Sequence, residues 1–316
     1  MIYLSCQPAI PRFAWEAEVY ITNFLNMGVA PQQIQLVQGL VPSWKEIPLE
    51  WKKLVKNFPG VQFFFYQDTR EQNNYQPSIQ AHLLYKHWIS NPLMEKEYVF
   101  FHDSDFVFTK PFDMEPFLHD SIWYLSDTIS YIGAEYISSK GEDILDKMCE
   151  IAGLDKGFVR RNQGGSGGAQ KLMKGVPTSY WKDSYELQLK LWEEIPPISA
   201  RIAKEKESKG EHYHPLQHWT MSMWSELWTA WKHGRLTAVP EEFNFMFYTN
   251  GVKDWETFGF YHNAGVLGTQ KDRFFKGKYD NGILPYGDII EDIDTTLAGY
   301  KYYQLVQEVG KTSCLK

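Results

Sequence analysis

Along the first hundred residues, short apolar runs alternate with amphipathic stretches. Ile2 to Cys6 reads as a strand, and Ala14, Ala17, Ile21, Phe24 and Leu25 then share one helical face before Gly28 closes the helix. Ile34 to Val37 and Val61 to Tyr66 are two further strand-like runs. Pro77 opens a helix whose apolar face carries Ile79, Leu83 and Trp88, and Tyr98 to Phe101 is a fourth strand. Alternation of this kind predicts an α/β fold: a mainly parallel sheet flanked by helices, with ligands collecting beyond the carboxyl ends of the strands.

The pattern changes after that point. "RRNQGGSGGAQ", Arg160 to Gln170, reads as a mobile loop, a helical stretch surrounds Trp224, and short aromatic segments run to the C-terminus. No internal repeat is evident. The aromatic-rich sequence after the glycine cluster would make a poor independent core, so a single elaborated domain is expected. "MIYLSCQP" passes directly into the first strand, and nowhere do about 18 apolar residues run together. The expectation is a soluble, cytoplasmic protein with no membrane partner.

Composition narrows the function classes. A formal net charge of -7 leaves no overall footprint for nucleic acid or an anionic membrane. The 3 cysteines are widely spaced with no CxxC pair, which suggests neither a disulfide framework nor a cysteine metal site. With 16% aromatic and 22% charged residues, the chain is globular rather than disordered.

One stretch then asks for an explanation. "YVFFHDSDFVF" sets Asp103 and Asp105 inside an apolar run at the end of the fourth strand. A carboxylate there carries a large desolvation cost unless it is paired or bound to a cation. Because side chains alternate along an extended chain, Asp-Ser-Asp lets the two carboxylates flank one point, and hard oxygen ligands of this type suit Mg²⁺ or Mn²⁺. The alternative is that they cap a turn after the strand. Far downstream, "FGFYHNAGV" places His262 after an aromatic run; an imidazole beside two carboxylates shifts the preference towards Mn²⁺, while on its own it reads as a half-buried histidine.

Other features have plainer readings. His212, His214 and His218 lack a complete zinc ligand set and read as a polar loop entering a helix. Trp224, Leu227, Trp228 and Trp231 form an apolar core stripe, and GGSGG lacks the spacing of a P-loop.

Taken in order, "FHDSDFVFTKPF", "YLSDTISYI", "GGAQ", "LQHWTMSMWSELW" and "YHNAGV" resemble segments of the GT-A class of nucleotide-sugar glycosyltransferases. Within it they are similar to the branch of hydroxyproline O-arabinosyltransferases and peptidyl-serine galactosyltransferases, and to similar phage and bacterial proteins. The resemblance implies a Rossmann-like GT-A domain over 1–316, with residues 1–110 binding the nucleotide sugar and 111–316 forming the acceptor half and a closing segment.

It also implies roles. Asp105 would bind the divalent metal, Asp103 the metal or the donor ribose, and His262 would be the distal metal ligand. The segment Ser5, Cys6, Gln7 and Pro8 would lie along the base and ribose, with Lys271 or Arg273 facing the diphosphate. Gly167, Gly168 and Ala169 would let the acceptor approach. The donor would be a UDP-sugar, the acceptor a hydroxyl on a protein, a glycan or a modified base of phage DNA, in which case the compartment is the host cytoplasm. The relatives retain configuration, which favours same-face transfer. If a base exists, Asp183 and Glu186 are candidates, although their three-residue spacing also fits a helix-capping pair; Gln170 would steady the developing sugar cation. Ser222 stands where the relatives tend to carry an acidic residue, which keeps open a scaffold that has lost catalysis.

Overall fold

Five consecutive buried residues, Tyr3 to Gln7, lie inside the first strand, β1 (Ile2–Pro8), and β2 (Ile34–Leu40) is buried throughout. Strands covered on both faces carry continuous rather than alternating hydrophobicity, as parallel strands do. In this computed structural model, which describes residues 1–316, the chain divides into two compact units, each gathered from separate stretches of sequence.

The first unit comprises Met1–Thr69, Val99–His119 and Glu241–Lys316. Its strands β1, β2, β3 (Gln62–Gln67) and β4 (Tyr98–Phe101) pair in parallel in the order β3-β2-β1-β4. Helices α1 (Pro11–Asn26) and α2 (Leu49–Asn57) make the crossovers. Pro11 starts α1 where its missing N–H costs nothing, and Gly28, at φ 89°, supplies the left-handed turn just beyond its end. A small second sheet, β5-β10-β9, joins β5 (Phe106–Phe108), β9 (Phe245–Met246) and β10 (Phe260–His262).

The second unit comprises Arg70–Tyr98 and Asp120–Pro240. Helix α3 (Ser78–Ser90) buries Ile79, Leu83 and Trp88 as its periodicity predicts. Strand β6 (Trp123–Asp127) pairs antiparallel with β7 (Gly167–Lys174) and parallel with β8 (Thr237–Ala238). Between β6 and β7 run α4 (Ile129–Ile132), α5 (Ala134–Lys140), α6 (Glu142–Ala152) and α7 (Lys156–Asn162). Two long helices follow, α8 (Thr178–Ser208) and α9 (Met221–Lys232). Trp224, Leu227, Trp228 and Trp231 are buried on α9, as the core stripe predicted.

The mainly parallel α/β class agrees with the sequence pattern, but two local expectations are corrected. The expected loop from Arg160 to Gln170 is instead the end of α7, a 3-10 turn and the start of β7. Asp183 and Glu186 do not cap a helix: α8 begins at Thr178, and its N-terminus is held by Glu95, which accepts from the Thr178 backbone N–H at 2.7 Å and hydroxyl at 2.6 Å. None of the three cysteines is in a disulfide, and no helix is long and apolar enough to cross a membrane. The C-terminal helix α10 (Ala298–Thr312) completes the first unit.

Candidate functional site

The first unit brings Asp103, Asp105 and His262 together by pinning two short strands. After β4, the chain turns through His102 to Asp105 and enters β5, which is clamped to α1 by Asn23: its side-chain amide donates to the Phe108 carbonyl at 3.0 Å, and its carbonyl accepts from the Phe108 N–H at 2.8 Å. β10 pairs antiparallel with β5, which sets His262 opposite Phe106, and the Asn263 N–H donates to the Asp105 carbonyl at 3.0 Å. Phe100, Phe106, Phe108 and Phe260 pack their rings beneath this frame, with centroid separations from 5.2 to 6.1 Å.

His262 Nε2 lies 3.1 Å from Asp105 Oδ1 and 3.4 Å from Asp103 Oδ2. Asp105 is buried, with a side chain 4% exposed, while Asp103 is 32% exposed and opens the cluster to solvent. Ser104, in the turn between β4 and β5, points to α1, where its hydroxyl donates to Glu16. Lys276 donates to Asp105 Oδ2. Glu16 is itself fully buried and accepts from Arg12 Nε at 3.1 Å; Arg12 also reaches Asp280 at 3.1 Å.

Charge explains the protonation states. Burial alone would raise the Asp105 carboxyl, but the Lys276 ammonium and the His262 imidazole outweigh it and hold Asp105 well below the usual carboxylate range. Burial would lower His262, yet Asp105 and Asp103 win and raise it. Burial raises Glu16, an effect that Lys276 and Arg12 oppose without cancelling.

Does this donor set fit a metal? Two carboxylates and one imidazole offer ligand atoms that all lie within 4.8 Å of one another, and one of them belongs to a buried Asp105 already satisfied only by cationic partners. Hard oxygens with a single nitrogen suit Mn²⁺ and also Mg²⁺. The residues fit. His212 and His214 lie in an irregular segment, and His218 opens a 3-10 turn that leads into α9.

The remaining candidates are placed as follows. Ser5, Cys6 and Gln7 occupy the carboxyl-terminal half of β1, opposite Leu36, Val37 and Gln38, and all three are buried; the Ser5 hydroxyl bonds the Tyr20 hydroxyl at 2.6 Å. Lys271 is exposed and donates to the Gly268 carbonyl at 2.9 Å. Arg273 is held by Asp272 at 2.6 Å and Asp294 at 3.5 Å.

In the second unit, Gly167 and Gly168 open β7, and close approach there is first of all to the protein itself. A Cβ on Gly167 would meet the Leu125 Cβ at 2.3 Å, and one on Gly168 the Met223 Cε at 2.5 Å. Ala169 sits at φ 55°, where the register against β6 slips between Leu125 and Ser126, so it forms the strained residue of a β-bulge. Gln170 is buried and accepts from the Ser126 hydroxyl at 2.9 Å. Asp183 Oδ2 lies 2.8 Å from His233 Nε2, and Glu186 stands on the exposed face 3.8 Å from Lys182. Of the basic side chains around β7, Arg160 pairs with Glu142 at 2.8 Å, Lys171 with the buried Glu226 and Lys174 with the Tyr98 hydroxyl, while Arg161 and Lys182 stay exposed, each 3.8 Å from Asp155 and Glu186 respectively.

Sequence reasoning missed Lys276, Glu16 and Arg12. Nothing local in "RFFKGKYD" marks Lys276 as the partner of a carboxylate 171 positions away. The one available signal for Glu16 was a charged residue on the face of a helix otherwise occupied by Trp15, Val19 and Tyr20.

No family model matches the chain, and no curated protein matches its sequence. Among solved structures it is similar to the WbbM bifunctional glycosyltransferase, with 12% identity and a TM-score of 0.49, over 96% of this chain and 51% of that one. This chain therefore spans about half the length of that protein. It is also similar to the galactosyltransferase LgtC, solved in complex with donor and acceptor sugar analogues: 8% identity, TM-score 0.46, over 98% of this chain and 96% of that one. Mouse xyloside xylosyltransferase 1 aligns with 11% identity and a TM-score of 0.38, over 84% of this chain and 99% of that one.

Proposed function

We propose that this protein is a metal-dependent GT-A-type glycosyltransferase that moves a sugar from a nucleotide-diphosphate donor, a UDP-sugar, to an acceptor hydroxyl. The observation that carries the reading is the convergence of Asp103, Asp105 and His262 at the end of a parallel strand, where a buried carboxylate has cationic partners on both oxygens. Asp105 and His262 would hold the metal from a rigid frame and Asp103 from the solvent side. A divalent ion in that position supplies Lewis-acid stabilisation of the charge that develops on the leaving diphosphate.

Ser5, Cys6 and Gln7, at the carboxyl-terminal end of β1, are where a parallel α/β sheet receives a nucleotide. Lys271 is the more available cation for the diphosphate, since Arg273 is already paired twice. For the acceptor, Gly167, Gly168 and Ala169 offer backbone at the β-bulge, with Gln170 fixed beneath by Ser126. The engagement of Asp183 with His233 and the exposed position of Glu186 support same-face, retaining transfer, in which the departing phosphate takes the acceptor proton. The internal pairing of Lys171 and Lys174 favours a hydroxyl on a glycan or protein over a modified DNA base, because those two cations are turned into the protein rather than towards a polyanion.

A thermal-shift panel of nucleotide sugars, with and without Mn²⁺, tests the reading. A ligand that binds only the folded state at 100 times its Kd stabilises by about 2.7 kcal/mol, a shift of several degrees for a chain of this size. The expected result is stabilisation by one UDP-sugar that requires the metal. No shift with any nucleotide sugar would overturn the proposal in favour of a scaffold.

A further inference from the structure

Lys276 lies in a 3-10 turn, Lys276–Tyr279, and its ammonium reaches back to Asp105 Oδ2, which is its hydrogen-bond acceptor in the structure. Its side chain is 24% exposed, against 4% for the aspartate it serves. Glu16 also attracts this ammonium, and Arg12 repels it. Two buried carboxylates, Asp105 and Glu16, are therefore balanced by two cations of different character. Arg12 is anchored on Glu16 and Asp280, both at 3.1 Å. Lys276 has a flexible four-carbon stem and Asp105 alone as its hydrogen-bond partner.

We infer that Lys276 is a resident counter-ion that holds Asp105 in the metal-free protein, yields Oδ2 when a divalent cation binds, and so sets the affinity of the metal site. The inference rests on the metal reading above. A buried carboxylate stripped of every cation is strongly destabilising, so the resting protein needs a substitute for the metal. An ammonium on Oδ2 and a divalent ion on Oδ1, the oxygen that faces His262, would lie a few ångströms apart on one buried carboxylate, where like charges repel strongly because water is scarce. Binding of the metal therefore includes displacement of Lys276, and that displacement weakens the apparent affinity.

The test is a Mn²⁺ titration, with the metal alone, of chelator-treated wild-type protein and Lys276→Met. The variant is expected to bind Mn²⁺ about tenfold more tightly or better, equivalent to about 1.4 kcal/mol. Its metal-free form should melt below wild type and recover with Mn²⁺. Unchanged or weaker binding by a folded Lys276→Met protein would overturn the inference, because Lys276 would then be a support for the site rather than a competitor. If that variant does not stay folded without metal, Lys276→Gln replaces it with the same expected direction.

Amine labelling of the wild-type protein gives a readout independent of any variant. Mn²⁺ is expected to raise acylation of Lys276 several-fold relative to the exposed Lys253, and unchanged labelling would contradict displacement. Wild-type binding with no change in the variants or the labelling removes the inference alone. Absence of Mn²⁺ binding in wild type and variants alike removes the metal reading, and the inference with it.

Discussion

Asp105→Asn is expected to lower donor turnover by about 10³-fold or more while leaving the protein folded. The magnitude follows from the loss of one fixed electrostatic contact at a site of charge development, here compounded by loss of metal. The fold should survive because asparagine matches aspartate in size, Lys276 still faces Glu16, and Asp103 remains beside His262. Circular dichroism and a melting curve run beside the turnover assay separate the two effects. Full activity in the folded variant would remove Asp105 from the chemistry.

A second large effect is expected in the other unit. Lys171 on β7 and Glu226 on α9 form an ion pair whose side chains are only 10% and 4% exposed, beside Trp123, Tyr180 and Leu227. Lys171→Met should cost about 3–5 kcal/mol, read from denaturant midpoints, because it leaves the Glu226 carboxylate buried without a counter-charge. Replacing both partners with apolar residues of similar volume, Lys171→Met with Glu226→Leu, should restore most of that loss. A cost below about 1 kcal/mol for the single variant would place the pair in solvent, where ion pairs contribute little.

The parallel half of the fold was legible because β1, β2, β3 and β4 are short runs rich in apolar residues and α1 and α3 carry clear apolar faces, whereas α2, with only Trp51 and Leu54 buried, was not read. Asp103 and Asp105 were legible for the converse reason: charge in an apolar run is costly and therefore informative. His262 could be singled out from the sequence but read equally as a half-buried histidine, and only the resemblance gave it a metal-binding role. The segment from Arg160 to Gln170 misled because its glycines weaken every local preference, while the run-on of α7, pairing with β6 and the close approach of Gly167 to Leu125 decide its conformation. β9 and β10, of 2 and 3 residues, are too short to show a period. Lys276 was invisible because its environment is made by Asp105 and Glu16, both distant in sequence, while Glu16 left only the weak signal of a charge on an apolar helix.

Those same contacts define the measurement that tests the central claim most directly: a Mn²⁺ titration followed by electron paramagnetic resonance, with and without UDP, on wild type, Asp105→Asn and His262→Ala. The account predicts a single Mn²⁺ bound by wild type, tightened by UDP, and lost or greatly weakened in both variants. Equal binding by all three proteins, or none by wild type even with UDP, would contradict it.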